Sequence, residues 1–170
     1  MAVRQKKTSE KKSGERTRPR SRSPRAKKSA KSGSQKSPAF LLKMEMMIPA
    51  TPAAISPLVD SVMSVVKRMG HDGEFEIETA LREALANAVR HGCAGDANKF
   101  VDCQVVFEKD RSVLIVVRDP GPGFNPKKVP DPTNGAHIYE DHGRGIFLIN
   151  QLMDEVRFHR NGREIHMRKF

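Results

Sequence analysis

Residues 83–92 read Glu-Ala-Leu-Ala-Asn-Ala-Val-Arg-His-Gly, or EALANAVRHG. Alanine and leucine at this density favour a helix, and the apolar positions form one seam along it. The same helix sets Glu83 and Asn87 four residues apart, roughly 400° of turn, so a carboxylate and a carboxamide leave one face with Arg90 continuing the row. A solvated helix face accounts for one such pair taken alone. Its meaning depends on what the flanking segments bring to that face.

Upstream, residues 40–48 (FLLKMEMMI) are an apolar run that stops at Pro49 and predict a first strand. Thr51 before Pro52 is the pattern of an N-cap followed by proline at the first helical position. Ile55, Leu58, Val59, Val62, Val65 and Val66 then recur at helical spacing, which predicts a helix to about Met69, broken at Gly70 and Gly73. The helix of the opening stretch runs from about Phe75 to Val89 on a stripe of Ile77, Leu81, Ala84, Leu85, Ala88 and Val89, with Gly92 as its stop. Downstream, residues 100–108 and 112–118 are β-rich runs around the polar turn Lys109-Asp110-Arg111.

After Asp119-Pro120-Gly121-Pro122-Gly123-Phe124 comes a stretch through Asp141, punctuated by Pro126, Pro130, Pro132, Asn134 and Gly135, that reads as a long loop of the kind that covers sites. Gly143-Arg144-Gly145 opens a third helix on Ile146, Phe147, Ile149 and Leu152, and Asn161-Gly162 joins two last strands, 155–159 and 164–169. The order β-α-α-β-β-α-β-β predicts an α+β two-layer sandwich, a mixed, largely antiparallel sheet with helices on one face.

Charge is unevenly placed. Residues 1–38 carry 14 Lys/Arg against Glu10 and Glu15, a balance of +12, whereas residues 39–170 carry 17 Lys/Arg against 18 Asp/Glu and are nearly neutral. The basic segment has no aromatic residue and too little apolar surface to offset its ordering entropy, so it predicts a disordered tail ahead of one folded domain, 39–170. Three readings of the tail stay open: electrostatic attachment to nucleic acid or another acidic surface, a solubilising extension, and a start of translation further in, at Met44 or Met46. No apolar run has the length of a secretory signal or a membrane span, which predicts a cytoplasmic protein without membrane attachment. Cys93 and Cys103 form no CxxC and read as small buried or half-buried residues in a reducing compartment.

The polar stripe has company further along. Asp119 ends a strand and is followed by Gly121 and Gly123, so backbone can approach a planar ligand while the carboxylate accepts from an amine. Gly143-Arg144-Gly145 at a helix start exposes unpaired N–H groups suited to a phosphate. His137 and His142 lack helical metal-ligand spacing, and GxxxxGK[ST], GxGxxG after a parallel strand and GxSxG are all absent.

In this order, EALANAVRHG, RDPGPGF and HGRGIFLINQLMDEV resemble the N box and the two glycine boxes of the Bergerat-fold ATPases, shared by DNA gyrase, heat-shock chaperones, histidine kinases and mismatch-repair proteins. The short single-domain form and LINQLMDEV look most like the bacterial anti-sigma-factor serine kinases. The resemblance spans about residues 39–170 and implies an ATP- and Mg²⁺-dependent serine/threonine protein kinase that phosphorylates a small anti-sigma-factor antagonist protein. A sigma factor and a homodimer are further assemblies it allows, and a nucleotide-gated binding module is the alternative reading. By motif, Glu83 resembles the catalytic base, Asn87 the Mg²⁺ ligand and Asp119 the residue that receives the adenine amine. Gly121 and Gly123 would border adenine and ribose, and Gly143, Arg144 and Gly145 would meet the phosphates. His142, Arg144, Lys127 and Lys128 are the candidate cations for the terminal phosphate.

Deleting residues 1–38 is expected to leave ATP affinity and thermal unfolding nearly unchanged, as read by calorimetric titration and thermal melts. Loss of folding or of nucleotide binding would contradict the division into tail and domain.

Overall fold

The computed structural model describes residues 40–126 and 144–170. Strand β1 (Phe40–Pro49) leads into helix α1 (Pro52–Met69) and helix α2 (Glu74–Asn87), which runs on into a π-helical turn (Ala88–Gly92). Strands β2 (Phe100–Glu108) and β3 (Val113–Arg118) follow, and after the undescribed residues come helix α3 (Arg144–Leu152) and strands β4 (Glu155–His159) and β5 (Glu164–Lys169), joined by a 3₁₀ turn (Arg160–Gly162). Residues 127–143, which hold most of the expected long loop with Lys127, Lys128 and His137, and also His142 and Gly143, lie outside the described residues.

Local chemistry explains the boundaries. Thr51 is extended (φ −121°, ψ 144°) and hands over to Pro52 at the start of α1, although its hydroxyl makes no capping bond. Gly70 ends α1 at φ 64°, in the left-handed region open to glycine, and its N–H donates to Lys67 O at 3.1 Å. On α2, Glu74 and Glu76 occupy the first turn, where negative charge suits the helix dipole. Its buried residues Ile77, Ala80, Leu81, Ala84 and Leu85 are the apolar stripe of the sequence, continued by Ala88 and Val89 in the π turn.

The five strands lie in the order β1-β2-β3-β5-β4, and every described pairing is antiparallel. Register aligns apolar side chains into rows across the sheet. Met46, Cys103, Val117, Ile165 and Phe158 form one, and Met44, Val105, Ile115, Met167 and Val156 the next. Both rows belong to or pack on the single core that takes in the buried faces of α1, α2 and α3. The alternate strand positions turn to the other face, where Asp102, Gln104, Arg118 and His166 are polar. The two layers expected from the element order are therefore present. Cys93 and Cys103 are buried free thiols, and burial pushes the Cys103 thiol up to about 12.

Leu85 is fully buried where α2 meets the core. Leu85→Ala is expected to cost about 2–5 kcal/mol of stability, measured by urea unfolding at constant m-value.

Candidate active site

Helix α2 is held on one side by the core, and its Glu83 and Asn87 are half-buried on another. They are half-buried because the start of α3 lies against them. A Cβ placed on Gly145 would stand 2.7 Å from Glu83 Oε2 and 3.0 Å from Asn87 Nδ2. A side chain at position 145 would push the ends of the Glu83 and Asn87 side chains aside. The N-terminal end of α3 carries the positive end of the helix dipole, so its approach to a carboxylate is electrostatically favourable. Arg144, the first residue of α3, is exposed.

Beyond Asn87 the α-helical spacing ends. Cys93 N–H donates to Ala88 O at 2.8 Å, five residues back, which widens the turn. The row expected to continue to Arg90 therefore stops at Asn87, and Arg90 is exposed. The widened turn delivers Gly92 to Asp119 instead. A Cβ on Gly92 would collide with the Asp119 carboxyl group, and one on Gly121 would collide with Gly92 O. Sequence reading treated Gly92 only as a helix stop. Its second role depends on a residue 27 positions away, for which no local signal exists.

Asp119 leaves β3 with its carboxylate turned back on its own loop, where Oδ1 accepts the Gly121 N–H at 2.8 Å. Its own N–H donates to Arg163 O at 3.0 Å, and Phe124 N–H donates to Asn161 O at 2.8 Å. The loop 119–124 is thereby fastened along the turn between β4 and β5. Gly123 adopts φ +80° and passes so close to Asn161 O that a Cβ would collide with it. Phe124 meets Phe158 edge to face, with ring centroids 5.6 Å apart.

The turn is strained to fit. Arg160, Asn161 and Gly162 all have positive φ, at 52°, 58° and 82°. Glycine and asparagine tolerate this conformation, whereas the left-handed region costs an arginine about 1–2 kcal/mol. The tight Asn-Gly hairpin expected from sequence is thus a three-residue 3₁₀ turn, with Arg160 drawn in.

Burial pushes the Asp119 carboxyl above the usual aspartate range, against the Gly121 N–H bond and the Arg163 charge, which pull it down. A carboxylate short of solvation is a strong acceptor for a ligand N–H that can replace water. Among the described residues no group of three or more His, Cys, Asp or Glu is placed to hold a metal ion.

Of the residues expected from sequence, Glu83, Asn87 and Gly145 converge at one end, while Asp119 and Gly121 meet at Gly92 and Gly123 joins the β4–β5 turn. Gly143 is outside the described residues.

The profile of the histidine kinase-like ATPase domain matches residues 48–169. The serine-protein kinase RsbW of Bacillus subtilis is 31% identical over 122 residues, 67% of this chain and 76% of that protein. The Bacillus pumilus protein of the same name is 33% identical over 138 residues, covering 75% and 85%. That of Oceanobacillus iheyensis is 29% identical over 122 residues, covering 67% and 77%.

The raised pKa of Asp119 has a stability consequence with a definite sign. The ionised form is disfavoured in the folded chain, so the penalty is absent below the unfolded aspartate pKa, grows as pH rises through the folded value and is full above it. Asp119→Asn keeps an oxygen for the Gly121 N–H and removes the charge. The variant is expected to be more stable than wild type at pH 7 without ligand, and to lose that advantage in acid. Urea midpoints at the two pH values check this, and a less stable variant at pH 7 would contradict it.

Proposed function

The chain belongs to the histidine kinase-like ATPase family, and from that premise we propose that it is an ATP- and Mg²⁺-dependent serine/threonine protein kinase acting as an anti-sigma regulatory factor. Its substrate is a serine on a small antagonist protein, and it holds a sigma factor when that antagonist is absent. The folded domain, residues 39–170, carries this activity. The basic segment 1–38 has a charge suited to an acidic surface or nucleic acid. The proposed site of action is the cytoplasm; among the described residues no helix is long and apolar enough to cross a membrane.

The observation that carries the reading is the seat of Gly145 on both Glu83 and Asn87. It supports the reading because a carboxylate, a carboxamide and a helix N-terminus meet at one place, groups able to serve as general base, metal ligand and phosphate site in transfer of a γ-phosphoryl group. Asp119, with Gly92 and Gly121 stripped of side chains beside it, supports the adenine end: an amine can reach the carboxylate there without meeting a Cβ. Glu83 orients the attacking hydroxyl and takes its proton. Asn87 would hold Mg²⁺ through its carboxamide oxygen, a suitable ligand for a hard cation that keeps several waters and whose charge neutralises phosphate oxygens. Gly143, Arg144 and Gly145 meet the phosphates, Arg144 supplying positive charge, and Gly123 borders the ribose.

Glu83→Ala is expected to retain ATP and partner binding while single-turnover transfer falls roughly 10²- to 10⁴-fold. Asn87→Ala is expected to weaken ATP and to abolish most of the Mg²⁺ dependence of its affinity in calorimetry. GTP, which presents a carbonyl where adenine has its amine, is expected to bind poorly. If wild type and Glu83→Ala transfer phosphate equally, or neither does so to a partner recovered by pull-down, phosphotransfer falls and a nucleotide-gated binding module takes its place.

A further inference from the structure

One buried carboxylate outside the catalytic set ties together the two backbone segments that shape the adenine end. Glu164 opens β5 and is only 7% exposed. It sits in register between Arg118 on β3 and His159 on β4. Its Oε2 accepts from Arg118 Nε at 2.7 Å and pairs with Arg160 Nε at 3.0 Å, while Oε1 lies 2.7 Å from His166 Nε2. His166 in turn lies against His159, ring centroids 4.4 Å apart and ring planes tilted by 52°. Burial alone would raise this carboxyl, but the bonds from His166 and Arg118 outweigh it and hold it below the usual carboxylate range.

The two arginines mark where the tie acts. Arg118 directly precedes Asp119, and Arg160 is the left-handed residue that opens the turn whose carbonyls, Asn161 O and Arg163 O, receive the N–H groups of Phe124 and Asp119. An arginine has no intrinsic preference for that conformation, so something must hold it there, and its ion pair to Glu164 is in place to do so. The carboxylate therefore braces the strand end and the strained turn against each other, and the loop 119–124 is fastened to both.

We propose that Glu164 is a positioning residue for the nucleotide: without touching it, Glu164 fixes the β4–β5 turn and through it the place of Asp119. The proposal rests on the ATP-site reading above. The competing possibility is that Glu164 merely stabilises the sheet. Glu108 offers a matched control, a carboxylate also 7% exposed that bonds Arg168 and Ser112 at the opposite end of β5.

Glu164→Gln keeps the shape and removes the charge. Side chains of Arg118 and Arg160 are 40% and 58% exposed, so both guanidiniums can return to water and the chain still folds. In the full chain, Glu164→Gln is expected to raise the Kd of Mg-ATP roughly 2- to 30-fold. Glu164→Asp, which retains the charge, is expected to recover part of the loss, and Glu108→Gln to leave the Kd within about 2-fold. In an Asp119→Asn background the Glu164→Gln effect is expected to shrink, because both changes act through one contact. A nucleotide-free measurement runs beside these: amide exchange at Asp119 and Phe124 is expected to accelerate in Glu164→Gln, with Ile115 and Val105 unaffected.

Equal losses from Glu108→Gln and Glu164→Gln, or full additivity with Asp119→Asn, would reduce Glu164 to a sheet stabiliser. Wild type binding ATP while Glu164→Gln binds it as tightly removes this inference alone. Wild type that binds no ATP removes the kinase reading as well.

Discussion

The seat of Gly145 on Glu83 and Asn87 is the contact on which the proposed chemistry depends. Two helices are brought within reach of each other at a point where any side chain on α3 would strike the carboxylate. The contact exists because α2 is used on two faces. One carries the apolar stripe from Ile77 to Leu85 into the core, and the other presents polar groups that the core neither needs nor covers. Burial of the first face fixes the rotation of the helix, and the second has no freedom to turn away. A few kilocalories of packing thus hold the candidate base and metal ligand rigidly, as a general base must be held if it is to act on one hydroxyl rather than on solvent.

The same economy appears around the loop of Asp119, built with backbone instead of helices. Gly92, Gly121 and Gly123 each pass where a Cβ would collide, with Asp119, with Gly92 O and with Asn161 O respectively. Three close approaches around one loop leave little room for the loop to move, and its two hydrogen bonds to the β4–β5 turn fix what remains. The cost is borne by the turn, in left-handed φ at Arg160 and Asn161, and by Asp119, whose partly desolvated carboxylate is less comfortable in the folded chain than in water. Strain and a destabilised charge at the same place are expected of a surface shaped for a ligand.

Much of this was legible along the chain. The period-3.6 stripe of α2, the alternation in β2 and β3, the proline that starts α1 and the glycine that ends it are local codes, each read from residues within a turn or two of one another. The strand boundaries 155–159 and 164–169 followed from the Asn-Gly pair between them, though not the inclusion of Arg160 in the turn, because Asn-Gly alone does not state how many residues precede it in left-handed conformation. That Glu83 and Asn87 share one face was likewise legible, whereas the roles proposed for them and for Asp119, Gly121 and Gly145 come from the resemblance of their motifs taken together. The π turn was not. The apolar stripe runs through Ala88 and Val89 without interruption, and widening by one residue leaves no mark in composition.

The sequence by itself determined which segments are helix and strand, which face of each is apolar, and that a carboxylate and a carboxamide share one face of α2. Those properties depend on the side chains of near neighbours and on the fixed geometry of the backbone. Only the tertiary structure decided that Gly92 faces Asp119, that Gly145 lies on Glu83 and Asn87, and that Glu164 joins Arg118 to Arg160. These are encounters between residues from four to more than sixty positions apart, set by the order of strands in the sheet and by where the widened end of α2 releases the chain. Even the closest of them, Arg160 with Glu164, depends on the turn between them being held left-handed by its neighbours. A glycine reads the same in a linear string whether it ends a helix or clears space for a carboxylate, and the packed chain alone distinguishes the two.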